Sequence, residues 1–105
     1  MQTFYEHVWN LMKRIPRGKV TTYKELAWAL NSKAYRAVGN ACRSNSYAPK
    51  VPCHRVVKSS GSVGGFGGKM SGANVRKKIA LLKKEGVQVQ NGKIVGFEKV
   101  LFKFR

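Results

Sequence analysis

The chain has 105 residues and carries 21 lysines and arginines against four acidic residues, a formal net charge of +17. This length suits one small domain, and no stretch is long and apolar enough to span a membrane. Such an excess of positive charge attracts polyanions, so nucleic acid is the first candidate partner and an anionic membrane surface is the alternative. The first residues are amphipathic and do not resemble a signal peptide, so we expect a single intracellular domain over residues 1–105.

Three helices are predicted in the first half of the chain. Apolar residues at helical spacing predict a helix over residues 3–14, which Pro16 ends. Thr22 followed three residues later by Glu25 is typical of a capping box and begins a second helix. A third helix, rich in small residues, is predicted over about 34–43. Two short helices joined by a tight polar turn indicate a DNA-binding helix-turn-helix, with a plain helical hairpin as the alternative.

The second half combines a glycine-rich loop, a helix and a hairpin. The Gly/Ser-rich stretch 59–72 matches neither a phosphate-binding nor a dinucleotide-binding loop, and we interpret it as a linker or as a ligand-wrapping loop. A fourth helix is predicted over 75–85, ended by Gly86. Alternation around Asn91 and Gly92 predicts a β-hairpin. The expected fold class is therefore α+β, mostly helical, with a small C-terminal hairpin.

One of the two cysteines is a candidate nucleophile. Cys42 and Cys53 lack the spacing of a disulfide framework or a zinc site, so we expect no metal site. His54 directly follows Cys53, and a neighbouring base or positive charge makes a reactive thiolate accessible. Since successive side chains of an extended segment point to opposite faces, either the backbone turns at Cys53 or a water bridges the thiol and the imidazole. The alternative is that Cys53 is a buried small hydrophobe, which is how we interpret Cys42.

A histidine base usually needs a third group that fixes its tautomer, and the chain offers four carboxylates. We assign Glu25 to the predicted helix cap. Glu85, at the end of the predicted fourth helix, is the best remaining candidate. Glu6 and Glu98 stay open, because the sequence does not place them in space.

The stretch PCHRV, residues 52–56, resembles the active-site signature of the O6-alkylguanine-DNA alkyltransferases. The similarity continues in chain order through most of the sequence, at residues 20–23, 26, 34–39, 43–45, 60–64, 67–68, 81–82 and 85–86. By this resemblance the chain is a winged helix-turn-helix-like alkyltransferase catalytic domain, without the N-terminal domain that most members carry.

The resemblance implies a suicide DNA repair reaction. Cys53 would attack the alkyl carbon on O6 of guanine in duplex DNA and keep the alkyl group as a stable thioether, in a single turnover. The proton would pass from Cys53 through a water to His54, which Glu85 would orient. The family reaction needs no cofactor, and we expect a monomer that does not act at a membrane.

The resemblance also implies residues that bind DNA and substrate. The recognition helix would enter the minor groove, and the damaged guanine would be flipped into a pocket. Arg36 would fill the vacated place, and Tyr23 would push on the adjacent phosphate. Asn45 would tie the recognition helix to the active-site loop. The backbone carbonyls of Cys53 and Val56 would accept hydrogen bonds from the guanine amine.

Two residues of the glycine-rich loop complete the implied pocket. The backbone around Gly67 would donate toward guanine O6. The family usually has a tyrosine where this chain has Phe66, and loss of that hydroxyl is expected to slow transfer about tenfold or more.

Two further hypotheses stand beside suicide repair. One is an alkyltransferase-like damage sensor, which binds alkylguanine without repairing it. Such sensors resemble the family but have tryptophan at the cysteine position. The other is a plain helix-turn-helix module with an incidental thiol.

Overall fold

The computed structural model describes residues 3–45, 50–64 and 72–104. The helices are α1 (Phe4–Met12), α2 (Tyr23–Ala29), α3 (Tyr35–Arg43), α4 (Ala73–Lys84) and α5 (Phe97–Val100), with a 3₁₀ turn at Cys53–Arg55. The strands are β1 (Thr21–Thr22), β2 (Val56–Val57), β3 (Val89–Gln90) and β4 (Lys93–Ile94). The mostly helical α+β class is confirmed. In the described ranges no helix has the length and apolar character that crossing a membrane requires.

Side-chain caps set the starts of the first two helices. The Thr22 hydroxyl accepts a hydrogen bond from the backbone N–H of Glu25 at 3.0 Å, as the sequence predicts. A complete capping box that we did not predict begins α1, where Thr3 and Glu6 each bond the other's backbone N–H. Such a box satisfies two of the N–H groups that the first turn leaves without helical partners. The predicted bounds of α1 were two residues too long at its C-terminal end.

The three N-terminal helices pack around one core cluster. This first core cluster contains Val8, Met12, Ile15, Leu26, Ala27, Val38, Ala41, Cys42, Val51 and Val56. Of the described element pairs, α1 with α3 and α2 with α3 have the most extensive contacts. The α2–α3 pair thus packs together against the first core cluster, and this is the predicted helix-turn-helix.

A short parallel pairing joins the start of α2 to the segment after Cys53. In it, Thr21 pairs with Val56 and Thr22 with Val57. Sequence patterns did not reveal these strands, because two residues carry no measurable alternation.

The C-terminal part packs around a second core cluster, formed by Val20, Val57, Val63, Leu82, Val87 and Ile94. Gly86 has φ +89° and ends α4, as predicted. Asn91 and Gly92 also have positive φ, which a type I′ hairpin turn requires, and the predicted hairpin is confirmed as β3–β4.

Candidate active site at Cys53

Cys53 begins a tight turn rather than lying in an extended strand. Its N–H donates to the Val51 carbonyl at 2.9 Å, and the N–H of Arg55 donates to the Pro52 carbonyl at 3.0 Å. The backbone therefore turns at Cys53, and a water between the thiol and the imidazole stays a prediction. Cys53 is partly buried against the first core cluster, while His54 beside it is only 1% exposed.

Glu85 connects His54 and Arg55. Its Oε2 atom lies 3.0 Å from His54 Nε2 and accepts from the Arg55 guanidinium at 2.7 Å. Its Oε1 atom accepts from Arg55 Nε at 2.9 Å, so the guanidinium holds the carboxylate in a two-point contact. A third bond from Arg55, to the Ile15 carbonyl at 2.7 Å, anchors the arginine itself. We named His54 and Glu85 from the sequence, whereas the role of Arg55 was missed.

The protonation states of this group follow from burial and pairing. Burial alone would raise the pKa of Glu85, but hydrogen bonds from Arg55 and His54, with their charges, lower it below its usual range. Burial lowers the pKa of His54 by more than Glu85 raises it. At neutral pH the pair is therefore an ionised carboxylate and a neutral imidazole.

The tautomer of His54 is fixed by its carboxylate partner. An ionised carboxylate only accepts hydrogen bonds, so Nε2 carries the proton and Nδ1 is left as the basic nitrogen. Nδ1 is buried, and no hydrogen-bond partner faces it within the described ranges. The imidazole is thus prepared to accept a proton at Nδ1.

Burial also shapes the nucleophile. It raises the pKa of the Cys53 thiol, and hydrogen bonding to the Asn45 side chain and the charge of Lys78 oppose this effect without cancelling it. The surrounding positive charge therefore does not by itself give a thiolate at neutral pH. A base has to remove the proton.

Lys78 is the site residue that sequence reasoning missed most clearly. It is fully buried in α4, and its ammonium donates to the carbonyls of Val56 at 2.7 Å and Val63 at 2.6 Å. Burial lowers its pKa to about 8, although the nearby thiols Cys42 and Cys53 oppose this shift. The available signal was its helical position, since residue 78 falls on the same face as the apolar residues 75, 79 and 82.

The predicted binding residues lie on three elements around this turn. The Asn45 amide donates to the Val51 carbonyl at 2.6 Å, which connects the end of α3 to the segment before Cys53. Tyr23, the first residue of α2, is half-buried on the first core cluster, and burial raises its pKa, with smaller contributions from Cys42 and Cys53. Arg36 is exposed on α3. Phe66 and Gly67 lie outside the described residues.

Of two further expectations, the one for the Val56 carbonyl meets a different environment and the one for Cys42 is confirmed. The Val56 carbonyl, which we predicted to receive the guanine amine, already accepts from Lys78, so one of its two lone pairs is used. Cys42 is buried on α3 with its sulfur 3.6 Å from that of Met12, and burial raises its pKa to about 12. Cys42 is therefore an unreactive core thiol, in contrast with Cys53.

Comparison with known proteins places these residues in a family context. Residues 3–87 match the family model described as the DNA-binding domain of 6-O-methylguanine DNA methyltransferase. A Candida glabrata protein named methylated-DNA–protein-cysteine methyltransferase is 45% identical over 87 residues, which cover 82% of this chain and 40% of that protein. The chain thus spans less than half the length of this relative.

Two solved structures show the same fold. Atl1 of S. pombe, in complex with damaged DNA containing O6-carboxymethylguanine, superposes with a TM-score of 0.82 at 28% identity, covering 98% of this chain and 99% of that one. Mycobacterium tuberculosis OGT in complex with DNA has a TM-score of 0.69 at 36% identity, covering 81% and 50% of the two chains. By the extent of the family match and the identity to its members, the chain belongs to the 6-O-methylguanine DNA methyltransferase DNA-binding domain family.

Proposed function

We propose that this protein repairs duplex DNA by moving an alkyl group from O6 of guanine irreversibly to Cys53. The observation that carries the proposal is the arrangement directly after Cys53, where Glu85 and Arg55 hold a buried neutral His54 with Nδ1 as its basic nitrogen. A plain DNA-binding module would have no use for such a base. The names of the relatives, which include a DNA–protein-cysteine methyltransferase, support the same reaction.

The proposed reaction begins with removal of the thiol proton. Because burial raises the pKa of Cys53, the thiolate forms only as the proton leaves, and His54 Nδ1 accepts it through a bridging water. Glu85 stabilises the imidazolium that results. The nearby ammonium of Lys78 favours the thiolate, because its positive charge lowers the pKa of Cys53.

Bond changes follow in one displacement. The sulfur of Cys53 bonds to the alkyl carbon, the bond between that carbon and guanine O6 breaks, and the electron pair stays on the base, which takes up a proton. The thioether product has no leaving group that the site could expel, so each molecule reacts once. In this reaction the chain's own residues supply both nucleophile and base.

The proposed DNA-binding surface is the exposed face of the α2–α3 pair. Arg36 extends from α3, and both family structures described above were solved with DNA. We propose that Arg36 takes the place of the flipped guanine in the minor groove and that Tyr23 contacts the adjacent phosphate. Asn45 keeps α3 and the Cys53 turn together, in line with its bond to Val51. Val56, Phe66 and Gly67 complete the proposed guanine pocket.

The decisive experiment is intact-protein mass spectrometry with peptide mapping, after incubation with a duplex that carries one O6-methylguanine. We expect a gain of one methyl group, on Cys53, and never more than one per molecule. Cys42→Ser is the matched control and should gain the methyl group as the parent does. Cys53→Ala should still bind the damaged duplex but gain nothing. Methyl transfer to Cys53→Ala, or mapping of the methyl group to Cys42, would contradict the assignment.

A second candidate function is recognition of alkylated guanine without transfer. It is favoured by the structural similarity to Atl1, which covers 99% of that protein's chain. The Atl1 structure is a complex with DNA that contains an alkylated guanine. Phe66, at a position where the alkyltransferases usually have a tyrosine, also favours recognition without transfer. In this case the damaged duplex would bind tightly and selectively, and the mass of the protein would not change.

A further inference from the structure

The exposed face of α4 carries unbalanced positive charge. The charged side chains on this exposed face are all basic, and they are Arg76, Lys77, Lys83 and Lys84. We call these four residues the α4 basic face. At 3.6 residues per turn they share one side of the helix, with the small side chain of Ala80 between them.

The four acidic residues of the chain do not balance this face. Glu85 follows α4 directly but is turned inward, where it binds His54 and Arg55. Glu6, Glu25 and Glu98 lie in the first turns of α1, α2 and α5. A further cation is added instead, because the guanidinium of Arg17 donates to the Lys84 carbonyl at 3.1 Å. The charge of the α4 basic face is therefore available to an anionic partner.

The α4 basic face lies on the side of α4 opposite the buried Lys78. Lys78 and Leu82 occupy the buried side of α4, and the charge of Lys78 acts on Cys42 of α3 and on Cys53. The buried sides of α3 and α4 thus face a common interior, and their exposed sides are directed outward in different directions.

Hydrogen-bond donors extend the face beyond the helix. Lys83 lines a shallow open groove with the segment 86–90, in which Gln88 and Gln90 are exposed. Lysine and arginine charges flanked by side-chain amides are the groups that contact phosphates of nucleic acid. The small Ala80 leaves room for a bulky backbone to approach the helix.

We propose that the α4 basic face is a second binding site for the phosphate backbone of duplex DNA, so that one molecule holds two duplex segments. The inference rests on the proposed function in one respect, namely that the first segment lies on α2–α3. It does not require alkyl transfer. The second site binds without sequence preference, because it offers phosphate contacts and no element that enters a groove.

The test is a capture assay with short undamaged duplexes. Beads carrying one duplex are incubated with the protein, washed, and then offered a second, fluorescent duplex. In the test variant, Arg76, Lys77, Lys83 and Lys84 are all changed to Gln, which keeps good helix propensity. In the matched control, four exposed lysines outside α2–α4 are changed to Gln, so both variants lose the same charge; these are Lys13, Lys93, Lys99 and Lys103. A third variant, with arginine at positions 77, 83 and 84, keeps the charge.

We expect the test variant to lose capture about tenfold or more, while the control and arginine variants stay within about twofold of the parent. The dependence of capture on salt should also weaken, its logarithmic slope falling by about 3 to 4 if all four phosphate contacts are lost. Circular dichroism checks that the helices persist. Methyl transfer within a single short duplex should be unchanged in the test variant, because none of its four positions belongs to the Cys53 site.

Any one of three results would overturn the inference. The first is that the parent fails to capture a second duplex. The second is that the test variant captures as well as the parent, and the third is that the control variant loses as much capture as the test variant. Binding of the α4 basic face to anionic vesicles without duplex capture would assign it to a membrane surface instead. Capture by a protein that gains no methyl group would leave this inference standing and reject the repair proposal, and methyl transfer without capture would do the reverse.

Discussion

The Cys53 site and the exposed surface of α2–α3 differ in whether their charged side chains have partners within the protein. At the site, Glu85 is bound by both His54 and Arg55, and Lys78 is bound by two carbonyls. On α2–α3, Arg36 is exposed and Trp28 is 49% exposed, with the ammonium of Lys24 4.7 Å from the Trp28 ring centre. Charges at the site are thus positioned before any ligand arrives, whereas those on the helix pair are left for a partner to neutralise. Removing a charge should therefore cost stability in the first region and binding in the second.

Arg55→Met should give the largest effect, a loss of stability, and it tests whether the paired charges of the Cys53 site stabilise the fold. It removes the two-point contact with Glu85 and leaves that carboxylate partly buried with His54 as its remaining partner. Loss of one member of a buried ion pair costs about 3 kcal/mol of unfolding free energy. Chemical denaturation measures this loss. Arg17→Met is the control, because Arg17 is exposed and makes one hydrogen bond to a carbonyl, and it should change stability far less.

His54→Gln should have the next largest effect, on the rate of transfer rather than on binding. Loss of a general base slows a reaction by about 100-fold or more at neutral pH. Since burial raises the pKa of Cys53, the deficit should narrow as the pH rises toward that pKa, where the thiolate forms without help. Rates of methyl transfer between neutral and alkaline pH test this. A rate deficit that is the same at every pH would show that His54 has a structural role only. The control is His7→Gln, on the exposed side of α1, which should transfer at the rate of the parent.

Arg36→Ala should have the smallest effect of the three, and it tests whether an exposed charge on α3 acts on DNA and not on stability. If Arg36 fills the place of the flipped base, transfer from duplex DNA should slow by about tenfold, which corresponds to about 1.4 kcal/mol. Transfer from the isolated O6-alkylguanine base should not change, and neither should stability. Equal slowing on both substrates would contradict the role. Arg14→Ala, at an exposed arginine beside Phe104, controls for loss of one positive charge.

The parts of the fold that the sequence predicted are those with a local physical signal. Thr22 caps α2, Gly86 ends α4, and Asn91 with Gly92 makes the hairpin turn. Each of these positions is specified by the conformation or hydrogen bonds of a few neighbouring residues. The parallel pairing of β1 with β2 joins distant residues and carries no such local signal.

The site was predictable where residue type and chemistry coincide. Cys53 and His54 are adjacent, and so few carboxylates are present that Glu85 emerged as the best candidate. Arg55 and Lys78 were missed because a basic residue in a chain of net charge +17 looks like one more surface cation. Their roles depend on burial, which the sequence indicates only weakly, through the apolar neighbours of Lys78 on α4. The raised pKa of Cys53 likewise comes from three-dimensional burial and not from its neighbours in sequence.

The pairing of Thr21 with Val56 has a consequence for how the protein is made. These partners lie 35 positions apart, so their ladder can close only after α2, α3 and the intervening loop have been brought together. Contacts of such sequence separation are the slow ones in folding, because the entropy of closing the loop is lost before they form. The contact between His54 and Glu85, which are 31 positions apart, likewise forms only when α4 has joined this part of the fold. Under the proposed function, a chain still emerging from the ribosome would carry Cys53 without an oriented base, and transfer would begin only in the folded protein.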